Sequence, residues 1–130
     1  MNKTRNNELI RLADKKLNAS KILNNGNIAE TYDGKTAALS VSVAMSDLLP
    51  ALAIYYQDYD AKHPDAPCRR SVLDVVATMI TDPDKNETFH DAKGLLEYAI
   101  KHPEKHKDLK REVIDCSIAL KQVVRTYNLV

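Results

Sequence analysis

The hydrophobic positions of this chain recur mostly at steps of three and four residues, the spacing of one face of an α-helix. The pattern is clearest over residues 103–128, which carry a single narrow apolar stripe. The stripe consists of Leu109, Val113, Cys116, Leu120, Val123 and Tyr127. Similar spacing predicts helices over residues 4–23, 69–80 and 88–101.

Polar stretches separate these segments. Residues 24–27 supply the Asn and Gly typical of a helix end and a tight turn. We expect residues 28–34 to form a connector with a turn at Asp33 and Gly34, and residues 57–67 and 81–87 to be loops.

Individual residues indicate where the later helices begin and end. Residues 88–91 resemble a capping box and predict the start of the helix that runs to residue 101. Pro103 suits a first helical position, which makes His102 a cap rather than part of the same helical face.

The central segment, residues 35–56, also reads as helix, although it contains Pro50. Proline lacks an N–H and crowds the preceding turn, so a kink or break is predicted near residues 46–49. Ser46 and Asp47 are good N-cap residues, which leaves open two helices meeting there. Residues 39–43 alternate with period two, but Ala-rich flanks and the lack of a partner strand favour helix.

Residues 36–56 are also the one membrane-like stretch, with 21 residues and a single formal charge. That charge, Asp47, would cost about 2.5–3.5 kcal/mol in the middle of a bilayer. We therefore favour the central helix of a small bundle, apolar on all sides because neighbouring helices surround it. The polar N-terminus and two widely spaced cysteines predict no signal peptide and a cytoplasmic, reducing location.

These patterns predict an all-α fold: a single-domain bundle of five to six helices over residues 1–130, with a kinked or broken central helix at Pro50. A chain of 130 residues, 44% of them hydrophobic, can bury a substantial core. The residues predicted for that core are Leu9, Leu17, Val41, Met45, Leu52, Val76, Leu96, Leu109, Val113, Leu120 and Val123.

Charge is balanced overall, with 19 Lys and Arg against 18 Asp and Glu. Any nucleic-acid contact must therefore come from a local cluster. Helical projection of residues 103–128 places five cations within an arc of about 100°, opposite the apolar stripe. They are Lys107, Lys110, Arg111, Lys121 and Arg125. Ile114 and Ile118 lie in the same arc, which is unusual for a solvated helix face.

Two interpretations of this basic arc remain open. It can be an ordinary solvated face with pairs such as Arg111–Asp115. It can also dock on another subunit through Ile114 and Ile118 or follow a phosphate backbone. Stacking aromatics are scarce near the basic patches, so we expect any nucleic-acid contact to be to the backbone and not to bases. The candidate nucleic-acid-binding residues, which are RNA-binding residues if the resemblance described below holds, are Lys35, Arg69, Arg70, Lys107, Lys110, Lys121 and Arg125.

Catalysis has little support in the sequence, which lacks a Gly-rich phosphate loop, GxSxG and HExxH. His102 and His106 have the spacing of helical metal ligands, but the intervening Pro103 and nearby lysines disfavour a metal. Cys116 lies on the apolar stripe and is expected to be buried. Cys68 precedes two arginines but has no evident base to activate it. We predict no catalytic residue, metal or cofactor.

The segment LLPALAIYY, residues 48–56, resembles the L-x-x-A-L-A-F segment of the Cmr-type small subunit of type III-B CRISPR effector complexes. Residues 95–98, 111–112 and 119–121 are also similar to the last third of that family. The resemblance covers residues 35–56 and 92–128. Family members often have Gly where this chain has Asp47, and a Trp in the last helix, which this chain lacks. The related small subunit of type III-A complexes remains an alternative.

This resemblance implies a non-catalytic subunit of an antiviral ribonucleoprotein. Copies would stack along a filament, contact the other subunits, and touch guide and target RNA through the backbone, with no membrane involved. A helical adaptor or regulator that binds only protein is the alternative, followed by a small enzyme or ligand-binding protein.

Overall fold

The computed structural model describes residues 2–130, which form six α-helices. The helices are α1 (Lys3–Asn18), α2 (Thr31–Ser46), α3 (Leu48–Gln57), α4 (Arg69–Thr78), α5 (Ala92–Lys101) and α6 (His106–Val124). A 3-10 turn, Pro103–Lys105, precedes α6. The strands are two residues each: β1 (Leu23–Asn24), β2 (Asn27–Ile28), β3 (Thr81–Asp82), β4 (Glu87–Thr88) and β5 (Asn128–Leu129). The predicted all-α class is confirmed.

The sequence left open a kinked central helix or two helices that meet near Pro50. The structure has two helices, α2 and α3. Asp47 lies between α2 and α3 with φ 81° and ψ 170°. Pro50 is then the third residue of α3, in the first turn, where a backbone N–H has no helical partner to lose. The break therefore precedes the proline by three residues.

α1 and α6 both end earlier than predicted, because residues that follow each helix pair in a small sheet. α1 ends at Asn18, and positive φ at Asn25 (52°) and Gly26 (79°) turns β1 back antiparallel onto β2. β5 pairs parallel with β2, so residues 125–128 are not helical. The predicted turn at Asp33 and Gly34 is wrong, since both lie in the first turn of α2.

The predicted loop over residues 81–87 and the predicted helix start at Thr88 are both wrong, because residues 81–88 form the β3–β4 hairpin. α5 consequently begins at Ala92, later than predicted, with Asp91 as its N-cap. The Asp91 carboxylate accepts a hydrogen bond from the Gly94 N–H at 2.9 Å. His102 ends α5, and Pro103 opens the 3-10 turn, as the sequence indicated.

Most of the predicted core is buried. The confirmed members are Leu9, Leu17, Leu52, Val76, Leu109, Val113, Leu120 and Val123. Leu96 is only partly buried. Val41 and Met45 were predicted wrongly, because they are 55% and 82% exposed.

The error at Val41 and Met45 has a geometric cause. α2 buries Tyr32, Leu39 and Val43 on one side. At 100° per residue, Val41 and Met45 project from the opposite side. The neighbours α3, α4 and α6 do not cover that side, so α2 is not enclosed. No helix within residues 2–130 combines the length and apolarity needed to cross a membrane.

Candidate interaction surface

α2 and α6 lie side by side and run antiparallel. At one end of the pair, Arg125 Nε donates to Asp33 Oδ1 at 2.8 Å. At the other end, Lys110 Nζ lies 3.4 Å from Asp47 Oδ1. The N-terminus of α2 is thus paired with the C-terminus of α6. The C-terminus of α2 is paired with the N-terminal part of α6.

The outer side of α2 is uncharged between Lys35 and Asp47. The exposed residues there share small or apolar side chains. They are Ala38, Val41, Ala44 and Met45, and Gly34 lies on the same side one turn before Ala38. Isolated hydrophobic residues are normal on a protein surface, but a helix side with neither charge nor cover indicates a contact surface.

Ile114 and Ile118 of α6 are half-buried. Ile114 packs partly against the core. This agrees with the sequence-based expectation that the two residues lie outside the main stripe and stay partly exposed. Together with the outer side of α2 they form what we term the α2–α6 face: Gly34, Ala38, Val41, Ala44, Met45, Ile114 and Ile118.

The cations of the basic arc divide into two groups. Lys110 and Arg125 are held by the carboxylates of α2 and its C-terminal cap, and Arg111 lies 3.9 Å from Asp108. No ion pair among the described residues includes Lys107 or Lys121. These two lysines are therefore the members of the arc best placed to meet an external anion.

The expected Arg111–Asp115 pair does not form. Asp115 is nearly buried and accepts a hydrogen bond from Arg5 Nε of α1 at 3.1 Å. Arg5 also donates to Glu112 at 2.8 Å. These charged hydrogen bonds join α1 to the side of α6 that faces it. They link residues more than 100 positions apart in the chain.

The remaining basic candidates come together elsewhere, around three tyrosines. The Arg70 guanidinium lies 4.0 Å from the ring centroid of Tyr56 and 4.5 Å from that of Tyr59. Arg69 lies 5.9 Å from the ring centroid of Tyr55. The Tyr55 hydroxyl donates to the carbonyl of Lys35 at 2.7 Å, which brings Lys35 to the same region.

The expectation that aromatics are scarce near the basic patches is therefore wrong at this location. The tyrosines lie 10 or more positions before the arginines, and the loop after α3 folds back to join them. Burial raises the pKa of Tyr55 to about 12, so its hydroxyl remains a donor. Arg70 Nε donates to the Tyr56 carbonyl at 2.6 Å. These contacts fix the loop after α3 and occupy the guanidinium group of Arg70.

The two histidines considered as metal ligands bind different partners. His102 Nδ1 lies 2.9 Å from Glu104 Oε1, whereas His106 Nε2 lies 2.5 Å from the carbonyl of Ala99. Within the part of the chain that the structure describes, no three His, Cys, Asp or Glu side chains converge as metal ligands.

The two cysteines are both buried. Cys116 was expected in the core, and its burial raises the pKa of the thiol to about 12. Cys68 precedes α4, with its Sγ 3.2 Å from Ser71 Oγ. A thiol with the raised pKa of Cys116 is almost wholly protonated at neutral pH and is a poor nucleophile.

No protein-family model, curated protein or solved structure matches this chain. The features that bear on function are therefore those of the chain itself. They are the open α2–α6 face, the arginine–tyrosine cluster, and Lys107 and Lys121, which form no ion pair within residues 2–130.

Proposed function

We propose that this chain is the non-catalytic small subunit of a type III-B (Cmr) CRISPR ribonucleoprotein effector complex, acting in antiviral defence in the cytoplasm. Its α2–α6 face would dock on other subunits and on further copies of itself. Lys107 and Lys121 would follow the backbone of guide or target RNA. The observation that carries the proposal is the exposure of Val41 and Met45 on one uncharged helix side.

The backbone at Asp47 supports the resemblance at the position where the sequence departs from the family. Asp47 has φ 81° and ψ 170°, a region in which side chains are strained and glycine is favoured. The family often has Gly at that position. In this chain Asp47 therefore occupies a turn whose backbone conformation favours glycine.

Several apolar residues of the resembling segments belong to the core of this chain. Leu48 and Leu52 of α3 are fully buried, as is Leu120 of α6. Other residues of these segments, such as Ile54, are exposed, and the separate evidence for docking is the exposure of Val41 and Met45.

A helical adaptor that binds only protein is the second candidate function. One observation favours it: Lys110 and Arg125, two cations of the basic arc, are already paired with Asp47 and Asp33. A surface that binds only protein needs the apolar side of α2 but no free cations. The two functions therefore differ in whether Lys107 and Lys121 contact RNA.

Reconstitution of the effector complex tests the docking role. The double variant Val41→Asp/Met45→Asp places two charges on the outer side of α2, where the side chains have room in the free chain. We expect native circular dichroism and loss of co-purification with the other subunits. Ile100→Asp is the matched control, because Ile100 is 59% exposed on α5 and lies outside the α2–α6 face. Normal incorporation of the double variant would refute the docking role.

RNA binding by the assembled complex separates the two candidate functions. Lys107→Ala/Lys121→Ala should assemble, weaken RNA binding alike for all sequences, and lower the slope of log affinity against log salt by about one to two. Lys62→Ala/Lys85→Ala makes the same charge change on exposed loops. Equal salt slopes for both double variants would contradict the RNA role and favour the adaptor.

A further inference from the structure

A cavity of about 360 Å³ lies between the C-terminal end of α1 and α4. α1 and the residues that follow it contribute Lys16, Ala19 and Ile22, and α4 contributes Asp74 and Val75. The volume is at the lower end of the range for small-molecule pockets. None of the residues that line this cavity belongs to α2 or α6, so its role is separable from that of the α2–α6 face.

Two opposite charges line this cavity without pairing. Lys16 of α1 and Asp74 of α4 are both half-buried. No ion pair within residues 2–130 includes either of them, so they do not neutralise each other. Removing a charge from water costs free energy unless an opposite charge replaces the water. The two residues therefore suit an occupant that carries both signs of charge.

The Asp74 carboxylate has one oxygen bound and one oxygen free. Oδ1 accepts a hydrogen bond from the Ala92 N–H at 2.8 Å, at the start of α5. Oδ2 has no hydrogen-bond partner among the described residues, and it keeps accessible surface. Burial raises the pKa of Asp74, against the opposing effect of the Ala92 N–H. A cation placed at Oδ2 would favour the charged carboxylate, so this oxygen is available to an occupant of the cavity.

The other charged or ionisable groups that line the cavity have partners elsewhere. Lys21 Nζ donates to the carbonyl of Pro64 at 2.7 Å. The Asp91 carboxylate caps α5, and His90 Nε2 lies 3.7 Å from Glu87 Oε1. The two charged groups left to bind an occupant are therefore one ammonium and one carboxylate.

We propose that this cavity binds a free aliphatic amino acid. The ammonium group of the amino acid pairs with Asp74 Oδ2, and its carboxylate pairs with the Lys16 ammonium group. Its side chain packs on the apolar part of the lining, which consists of Ala19, Ile22 and Val75. An amine or a carboxylic acid alone leaves one of the two protein charges without a partner.

Backbone amide NMR of the full chain tests this inference with matched probes. L-leucine carries both charges and an aliphatic side chain. Glycine lacks the side chain, isoamylamine lacks the carboxylate, and isocaproate lacks the ammonium group. We expect saturable shifts of amides in residues 16–22 and 71–78 with L-leucine, and binding of the other probes that is weaker by about tenfold or more. Absence of saturation with L-leucine, or equally tight binding of any other probe, would overturn the proposal.

Variants that remove one charge distinguish binding from a structural role. Asp74→Asn keeps an oxygen that can accept from the Ala92 N–H, and it should weaken L-leucine binding about tenfold. Lys16→Gln should weaken it about fivefold. Glu8→Gln and Lys15→Gln are the matched controls, because both residues are exposed on α1 and lie outside the cavity, and they should leave binding unchanged. A cavity variant that binds L-leucine no more weakly than its control would contradict the proposal.

Discussion

The inner stripe of α6 and the outer side of α2 are both apolar, yet their environments are opposite. Leu109, Val113 and Leu120 of α6 are at most 3% exposed, whereas Val41 and Met45 of α2 are 55% and 82% exposed. α6 turns its stripe toward the surrounding helices, while α2 turns Val41 and Met45 away from its neighbours. Burial is thus decided by the presence of a packing partner and not by side-chain type alone.

The buried side of α2 strengthens this contrast, because it contains a polar residue. Thr36 is only 1% exposed, and its hydroxyl lies 3.0 Å from the carbonyl of Tyr32. α2 therefore buries a threonine with a satisfied hydrogen bond and exposes a valine and a methionine. An external partner that covers the outer side would account for this arrangement.

Truncation of one residue on each side gives the largest expected difference. Leu120→Ala should lower the free energy of unfolding by about 2–5 kcal/mol, because it removes a fully buried side chain. Met45→Ala should change it by no more than about 0.5 kcal/mol, because the residue is largely exposed. Urea denaturation of both variants measures the two values. A loss above about 1 kcal/mol for Met45→Ala would mean that this side of α2 is covered in the free chain.

The turn between α2 and α3 gives a smaller effect. Asp47→Gly and Asp47→Ala both remove the ion pair with Lys110, but only glycine relieves the positive φ. Asp47→Gly should therefore be the more stable variant by about 1 kcal/mol in thermal or urea unfolding. Asp47→Asn keeps the side-chain shape and isolates the contribution of charge. Equal stability of the Gly and Ala variants would contradict a strained turn.

The helical periods made much of the fold predictable. The α6 stripe is a single run of steps of three and four, and all the residues of it assigned to the core are buried. The two-residue strands were missed because they are too short to show alternation. Asn25 and Gly26 carried the signal for the first hairpin, since that pair suits a two-residue turn. The sequence did not indicate that Val41 is exposed, because α2 has apolar residues on most of its sides.

The interaction surface was predictable only along one helix. Helical phase placed Ile114 and Ile118 within the basic arc, where they are half-buried. It could not show that Asp33 and Asp47 of another segment would pair with cations of that arc. The tyrosines around Arg70 were missed for the same reason, because tertiary contacts between distant segments leave no local pattern.

Methionine oxidation tests most directly whether the outer side of α2 is an interface. In the free chain, hydrogen peroxide should oxidise the exposed Met45 much faster than Met79, which is 5% exposed. In the assembled complex, the docking role predicts that oxidation of Met45 slows by about tenfold or more, while that of Met79 stays slow. Peptide mass spectrometry measures both sites in one sample. Oxidation of Met45 at the same rate in the free chain and in the complex would contradict the proposed interface.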